Sequence, residues 1–176
     1  MAMSFVSLWL FALPPAQLKA GEIQISGGEI GSELRAVGLV KAPPQKVYET
    51  VIRCEGYGGF LPRVVTSKRL SGDERSRTCA MHIDMPFPLG DLKTQLKQTR
   101  WIQPGSWRMD FKQIKGGYEE NAGGWRLQPY GPAGQWTLVD YRLRLRLKGW
   151  VPKWIQNLGA KGSIQPLFQA LRNRLE

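Results

Sequence analysis

The chain has 176 residues, a length that suits one domain and supports a core without staples. A hydrophobic fraction of 42% excludes a disordered chain, and seven Trp, six Phe and five Tyr supply many large rings for that length. Twenty-five Lys and Arg against 14 Asp and Glu give a formal charge of +11, which implies attraction to anionic surfaces, while one His and two Cys argue against a zinc site.

Residues 4–13 (SFVSLWLFAL) form an apolar run followed by Pro14, Pro15 and Ala16. The run is too short for a membrane-crossing helix, which needs about 20 residues. It matches the apolar part of a secretory signal in length, although no Lys or Arg precedes it. Residues 1–20 are therefore predicted as an export signal or membrane-proximal leader, and residues 21–176 as a single domain. The alternative for the leader is a short helix or arm lying on the domain. The first reading makes the protein exported, periplasmic or membrane-associated, where Cys54 and Cys79 can pair. A cytoplasmic location goes with the second.

Residues 29–41 (EIGSELRAVGLVK) read as a first strand, stopped by Pro43 and Pro44. Pro44 can open a helix that carries Val47, Tyr48, Val51 and Ile52 at helical spacing and ends near Arg53. The stretch 55–62 (EGYGGFLP) reads as a turn into a second short helix. Period two then takes over, and strands are predicted at 63–70, 75–85, 91–102, 107–114, around 123–127 and at 137–148. Within them Cys79, Met81, Ile83 and Met85 share a face, as do Trp107, Met109 and Phe111. Val139, Tyr141, Leu143, Leu145 and Leu147 oppose Arg142, Arg144, Arg146 and Lys148, the pattern of a half-buried antiparallel strand with a solvated ladder. The last segment opens at Pro152 and carries an apolar helical stripe of Trp154, Ile155, Leu158, Ile164, Leu167, Phe168, Leu171 and Leu175. Pro166 within it predicts a kink or a restarted helix.

This order predicts an α+β fold: a curved antiparallel sheet of about seven strands, two short helices after the first strand, and a long C-terminal helix covering the apolar sheet face. A bent sheet wrapped around one helix leaves an interior too wide for side chains alone to fill. Concave, mostly apolar spaces of that kind are where small ligands bind.

Four local stretches carry a resemblance. They are 39–48 (LVKAPPQKVY), 57–64 (YGGFLPRV), 85–91 (MPFPLGD) and 123–127 (GGWRL). In this order the chain resembles the helix-grip superfamily of START, polyketide-cyclase and coenzyme Q-binding proteins over roughly residues 29–176. Phe87 stands where START-like members carry Trp, and Leu92 where an Arg often follows the Asp. The resemblance implies a pocket between sheet and terminal helix that takes lipids, isoprenoid quinones or polycyclic aromatics. It does not choose among them.

Strand alternation turns Met81, Ile83, Trp107, Met109, Phe111, Trp125, Tyr141, Leu143 and Leu145 inward as candidate ligand contacts, although a residue at such a position is more often plain core than ligand wall. Ile155 and Leu158 on the terminal helix complete the set, and Phe87 with Leu89 in the Pro-flanked loop help close the mouth. Trp150 reads as a gate or membrane-facing anchor, or else as packing for Pro152. His82 falls on the outward face beside Asp84, without a specified nucleophile, and no phosphate-binding loop or cofactor motif is present. The function expected is enclosure of a hydrophobic small molecule for transport or presentation, with transient contact to an anionic membrane surface. A polyketide cyclase or aromatase is the alternative, because cyclases of the superfamily can act by shaping a bound chain. Nucleic acid is disfavoured, since the basic residues form no binding motif.

Overall fold

Proline and period-two patterning account for most element boundaries in the computed structural model. It describes residues 18–29 and 32–176, apart from the side chains of Ile102, Ser106, Lys153 and residues 156–160. The apolar run at residues 4–13 lies outside the described residues. The strands are β1 (Ile23–Gly27), β2 (Leu34–Val40), β3 (Val64–Gly72), β4 (Ser76–Ile83), β5 (Leu92–Gln103), β6 (Ser106–Gly116), β7 (Tyr118–Tyr130) and β8 (Trp136–Leu147). The helices are α1 (Pro44–Ile52) and α2 (Lys153–Leu175), with a 3-10 helix over Cys54–Gly59. The described strands form one antiparallel sheet in the order β1-β2-β8-β7-β6-β5-β4-β3.

This is the helix-grip arrangement expected from the sequence, with eight strands rather than about seven. The added strand is β1, which pairs with β2 from Ile23 opposite Gly38 to Gly27 opposite Leu34. Its alternation is short, and the left-handed Gly27 and Gly28 separate it from what reads as one longer strand. β7 runs far beyond the expected 123–127. Residues such as Glu119, Glu120 and Asn121 have weak strand preference, and pairing with β8 on one side holds them in the ladder. The second short helix is 3-10 in geometry, and α2 passes Pro166 without restarting.

Register shifts in β3, in the β5–β6 pair and at the start of β7 bend the sheet around α2. α2 lies closest to β2, where Gly38 makes room for it. A Cβ on Gly38 would stand 2.6 Å from Cε1 of Phe168, whose ring fills that gap. The last turn of α2 is fastened as well. Arg172, itself buried, donates from Nε and Nη2 to the Leu39 carbonyl at 3.1 and 3.0 Å. The same guanidinium reaches the Gly21 carbonyl at 3.0 Å and the Glu22 carbonyl at 3.3 Å.

The main core joins Val40, Val47, Tyr48, Val51, Met109, Leu127, Val139, Ile164, Phe168 and Leu171 between sheet and helices. A smaller cluster covers the other face of β2, where Leu18, within the stretch read as a leader, packs with Val37, Leu39 and Leu138.

Candidate functional site

The inner faces of β4 to β8 enclose a cavity of about 190 Å³ that the 3-10 helix, the segment after it and α2 cover. Sequence alternation brings seven of the predicted residues to its wall: Met81, Ile83, Phe111, Trp125, Tyr141, Leu143 and Leu145. Phe111 lies opposite Gly123 in the ladder, and a Cβ on that glycine would come within 2.8 Å of the Phe111 ring. The ring therefore crosses the strand at Gly123 and stacks on Tyr141 at 6.4 Å, while Tyr141 meets Trp125 at 4.4 Å. Three interlocked rings make a stiff wall, because their packed neighbours leave few alternative rotamers.

Other predicted residues lie elsewhere. Trp107 and Met109 belong to the core near α1, Met109 fully buried, because the cavity occupies the opposite half of the sheet face. Ile155 is buried in the first turns of α2 but is not among the described lining residues. The Leu158 side chain lies outside the described residues. Phe87 faces solvent at 89% exposure and Trp150 at 81%, so neither packs inward.

The wall also contains residues outside the expected ligand-contact set. Tyr57, Leu61 and Pro62 come from an irregular stretch, Val64 from β3, Leu96 and Gln98 from β5, Tyr118 and Asn121 from β7, and Ser163 and Leu167 from α2. Leu96 and Gln98 form an i, i+2 pair on the strand predicted at 91–102, so strand periodicity carries their common facing. Leu167 sat in the helical stripe. No periodicity turns Tyr57 inward; a disulfide between Cys54 and Cys79 ties its 3-10 helix to β4.

No Asp, Glu, Lys, Arg or His is among the described lining residues. Polar atoms there are neutral and mostly satisfied. The Tyr57 hydroxyl donates to the Val51 carbonyl and accepts from Gln98 Nε2 at 3.0 Å. Burial holds the Tyr57 and Tyr141 phenols far above their ordinary titration range and pushes Tyr118 up to about 12. All three stay protonated at neutral pH, as hydrogen-bonding groups rather than bases. The imidazole of His82 is on the outer side of the sheet, where Nε2 lies 2.7 Å from Asp91 Oδ2. Among the described residues no group of three or more His, Cys, Asp or Glu could hold a metal ion. The site can therefore enclose an apolar body and offer neutral hydrogen bonds to one polar group.

Residues 40–172 match the family described as polyketide cyclase / dehydrase and lipid transport. The chain belongs to that family. No curated protein matches it. Among solved structures, a STAR-related lipid transfer protein from Xanthomonas axonopodis aligns with a TM-score of 0.69 at 16% identity, over 90% of this chain and 96% of that one. Human StAR-related lipid transfer protein 5 aligns with a TM-score of 0.71 at 12% identity, over 89% of this chain and 84% of that one. The Zhui aromatase/cyclase from Streptomyces sp. R1128 aligns at 0.59 and 13% identity, over 86% of this chain and 90% of that one. At these identities the likeness speaks for the fold of this family member.

Proposed function

We propose that this family member encloses a hydrophobic small molecule, a lipid, an isoprenoid quinone or a similar compound, for transport or presentation. The observation that carries the reading is empty, ring-walled space with no ionised group on its described wall. At about 190 Å³ the space is below the roughly 300–1,000 Å³ of drug-sized sites, so it fits a ring system or a short stretch of chain. A longer ligand displaces the Leu167 side of α2. Mass spectrometry of gently purified protein, with organic extraction of what is bound, tests the reading directly. Leu143→Asp places a charge on the wall and is expected to abolish binding of an apolar fluorescent probe. Full probe binding by folded Leu143→Asp protein would remove the cavity from the account.

Loading from an anionic bilayer completes the proposal. The Lys148 ammonium donates to the Gly116 carbonyl at 2.9 Å, and the Gly117 amide to the Lys93 carbonyl at 3.1 Å. The end of β8, the β6–β7 turn and the start of β5 thus meet at one end of the sheet, beside the loops that carry Phe87 and Trp150. Exposed aromatics beside lysines suit a headgroup layer. The β8 arginines suit it less, since Arg142 and Arg144 pair with Glu33, and Arg146 with Glu119. Phe87→Ala with Trp150→Ala should lower binding to phosphatidylserine vesicles about tenfold while leaving the fold intact. Unchanged vesicle binding would separate this end of the molecule from membranes.

A second reading, cyclisation of a bound poly-β-ketone, is favoured by the amides and phenols of Gln98, Asn121 and Tyr57 on the wall. Turnover of a poly-β-ketone analogue, lost in Gln98→Leu, would move the assignment to that reaction.

A further inference from the structure

Beyond the cavity, the same inner sheet face carries two arginines beside Tyr48 of α1, and two polar atoms of this group have no hydrogen-bond partner. Arg77 lies opposite Gln98 in the β4–β5 ladder, and Arg100 opposite Met109 in the β5–β6 ladder. Opposed residues share a face, and Gln98 and Met109 are buried, so both arginines rise from the inner side. Arg77 donates from Nη1 to the Ile52 carbonyl at 3.2 Å and from Nε to the Asp73 carbonyl at 3.3 Å, which holds its guanidinium between the last residue of α1 and the β3–β4 turn. One turn back on that helix is Tyr48, only 2% exposed. Its hydroxyl is buried without a hydrogen-bond partner, and so is Arg100 Nε.

The stronger fields about these atoms are positive. The fields of Arg100 and Arg77 both reach the Tyr48 hydroxyl. Burial, then the nearby Arg100 and Arg69, disfavours the charged form of Arg77, against which Glu55 and Glu74 act more weakly. Among the described residues neither Arg77 nor Arg100 closes an ion pair. Guanidinium groups only donate, and a buried donor without an acceptor costs stability. A group with several acceptor oxygens and negative charge answers the Tyr48 hydroxyl and Arg100 Nε and offsets the positive charge of the neighbouring Arg77.

We propose that Arg77, Arg100 and the Tyr48 hydroxyl form a binding site for an oxyanion, a carboxylate or phosphate. The oxyanion is either free in solution or the head of an amphiphile whose apolar part lies in the cavity beyond Gln98, which borders both places. The free form stands without the cavity reading; the headgroup form rests on it.

Inorganic phosphate, octanoate and octanol serve as probes of the full chain. The first arm compares the thermal midpoint in phosphate with that in chloride at equal ionic strength. The second compares octanoate with octanol by calorimetry. A midpoint raised by phosphate, and not in Tyr48→Phe or Arg100→Gln, assigns a free oxyanion. Octanoate binding about tenfold tighter than octanol, levelled by the same variants, assigns a headgroup. Tyr48→Phe removes one oxygen and keeps the ring, so it reports even where an arginine variant fails to fold. The proposal is overturned if phosphate matches chloride and octanoate matches octanol, or if either advantage survives in both variants. Octanol binding in all variants leaves the cavity reading in place in that event.

Discussion

Under α1 the inner sheet face is filled: Val47, Val51, Met109, Leu127 and Val139 are buried against one another and the helix. Farther along, Met81, Ile83, Phe111, Tyr141 and Leu143 turn inward by the same alternation and border empty space. The two halves differ in what covers them. α1 lays Val47, Tyr48, Val51 and Ile52 directly on the strands. The other half is roofed by a 3-10 helix fixed to β4 through Cys54–Cys79, and by Ser163 and Leu167 of α2. Period two decides which way a side chain points. The cover decides whether the space in front of it closes.

Truncation should break this symmetry most strongly. Met109→Ala is expected to lower unfolding free energy by about 2–5 kcal/mol, since fully packed sites leave a cavity behind. Leu143→Ala should cost clearly less, because its side chain already faces a void. Urea denaturation of the pair measures the contrast, and equal losses would erase the distinction between the halves. Next in size is the roof. Replacing both Cys54 and Cys79 by Ala releases a link across a sequence separation of 25 and should cost about 3 kcal/mol. The same change should weaken apolar probe binding, as Tyr57 and Leu61 lose their tether.

Overfilling gives a smaller and opposite test. Val139→Phe in the packed half is expected to cost about 1–3 kcal/mol, whereas Leu143→Trp should be tolerated within about 1 kcal/mol and exclude the probe. Titration gives the last. The Tyr118 phenol is held near 12 against 10.0 for an exposed one, so the unfolded chain loses that proton first. Its contribution is whole below pH 10 and fades as pH rises from there through about 12. Phenolate absorbance of the folded protein should show this late step, and Tyr118→Phe should remove it. A Tyr118 that titrates at 10 would mean that the hollow half is open to solvent.

How far the sequence reaches follows the same division. The β8 run from Val139 to Leu145 and the β6 run from Trp107 to Phe111 state their facing outright, since polar and apolar residues alternate without a break. Pro44 and Pro152 mark where helices can begin. The same alternation treats Met109 and Phe111 alike, although one is core and the other wall. That separation arises from α1 lying over one end of β6, a long-range contact with no local signature. Tyr57 and Gln98 are further cases: they meet at 3.0 Å across 41 residues of sequence. β1 was hidden by brevity and flanking glycines, and the length of β7 by acidic and Gly residues that only paired neighbours make extended.

One fastening bears on traffic through the molecule. With Arg172 bolted to the carbonyls of Gly21, Glu22 and Leu39, the far end of the closing helix is the costly end to lift. Under the proposed function, a guest that enlarges its berth is expected to swing the helix about this anchor, as a door turns on its hinge post. On that proposal, entry and exit are expected on the Trp154 side, away from the β1–β2 corner.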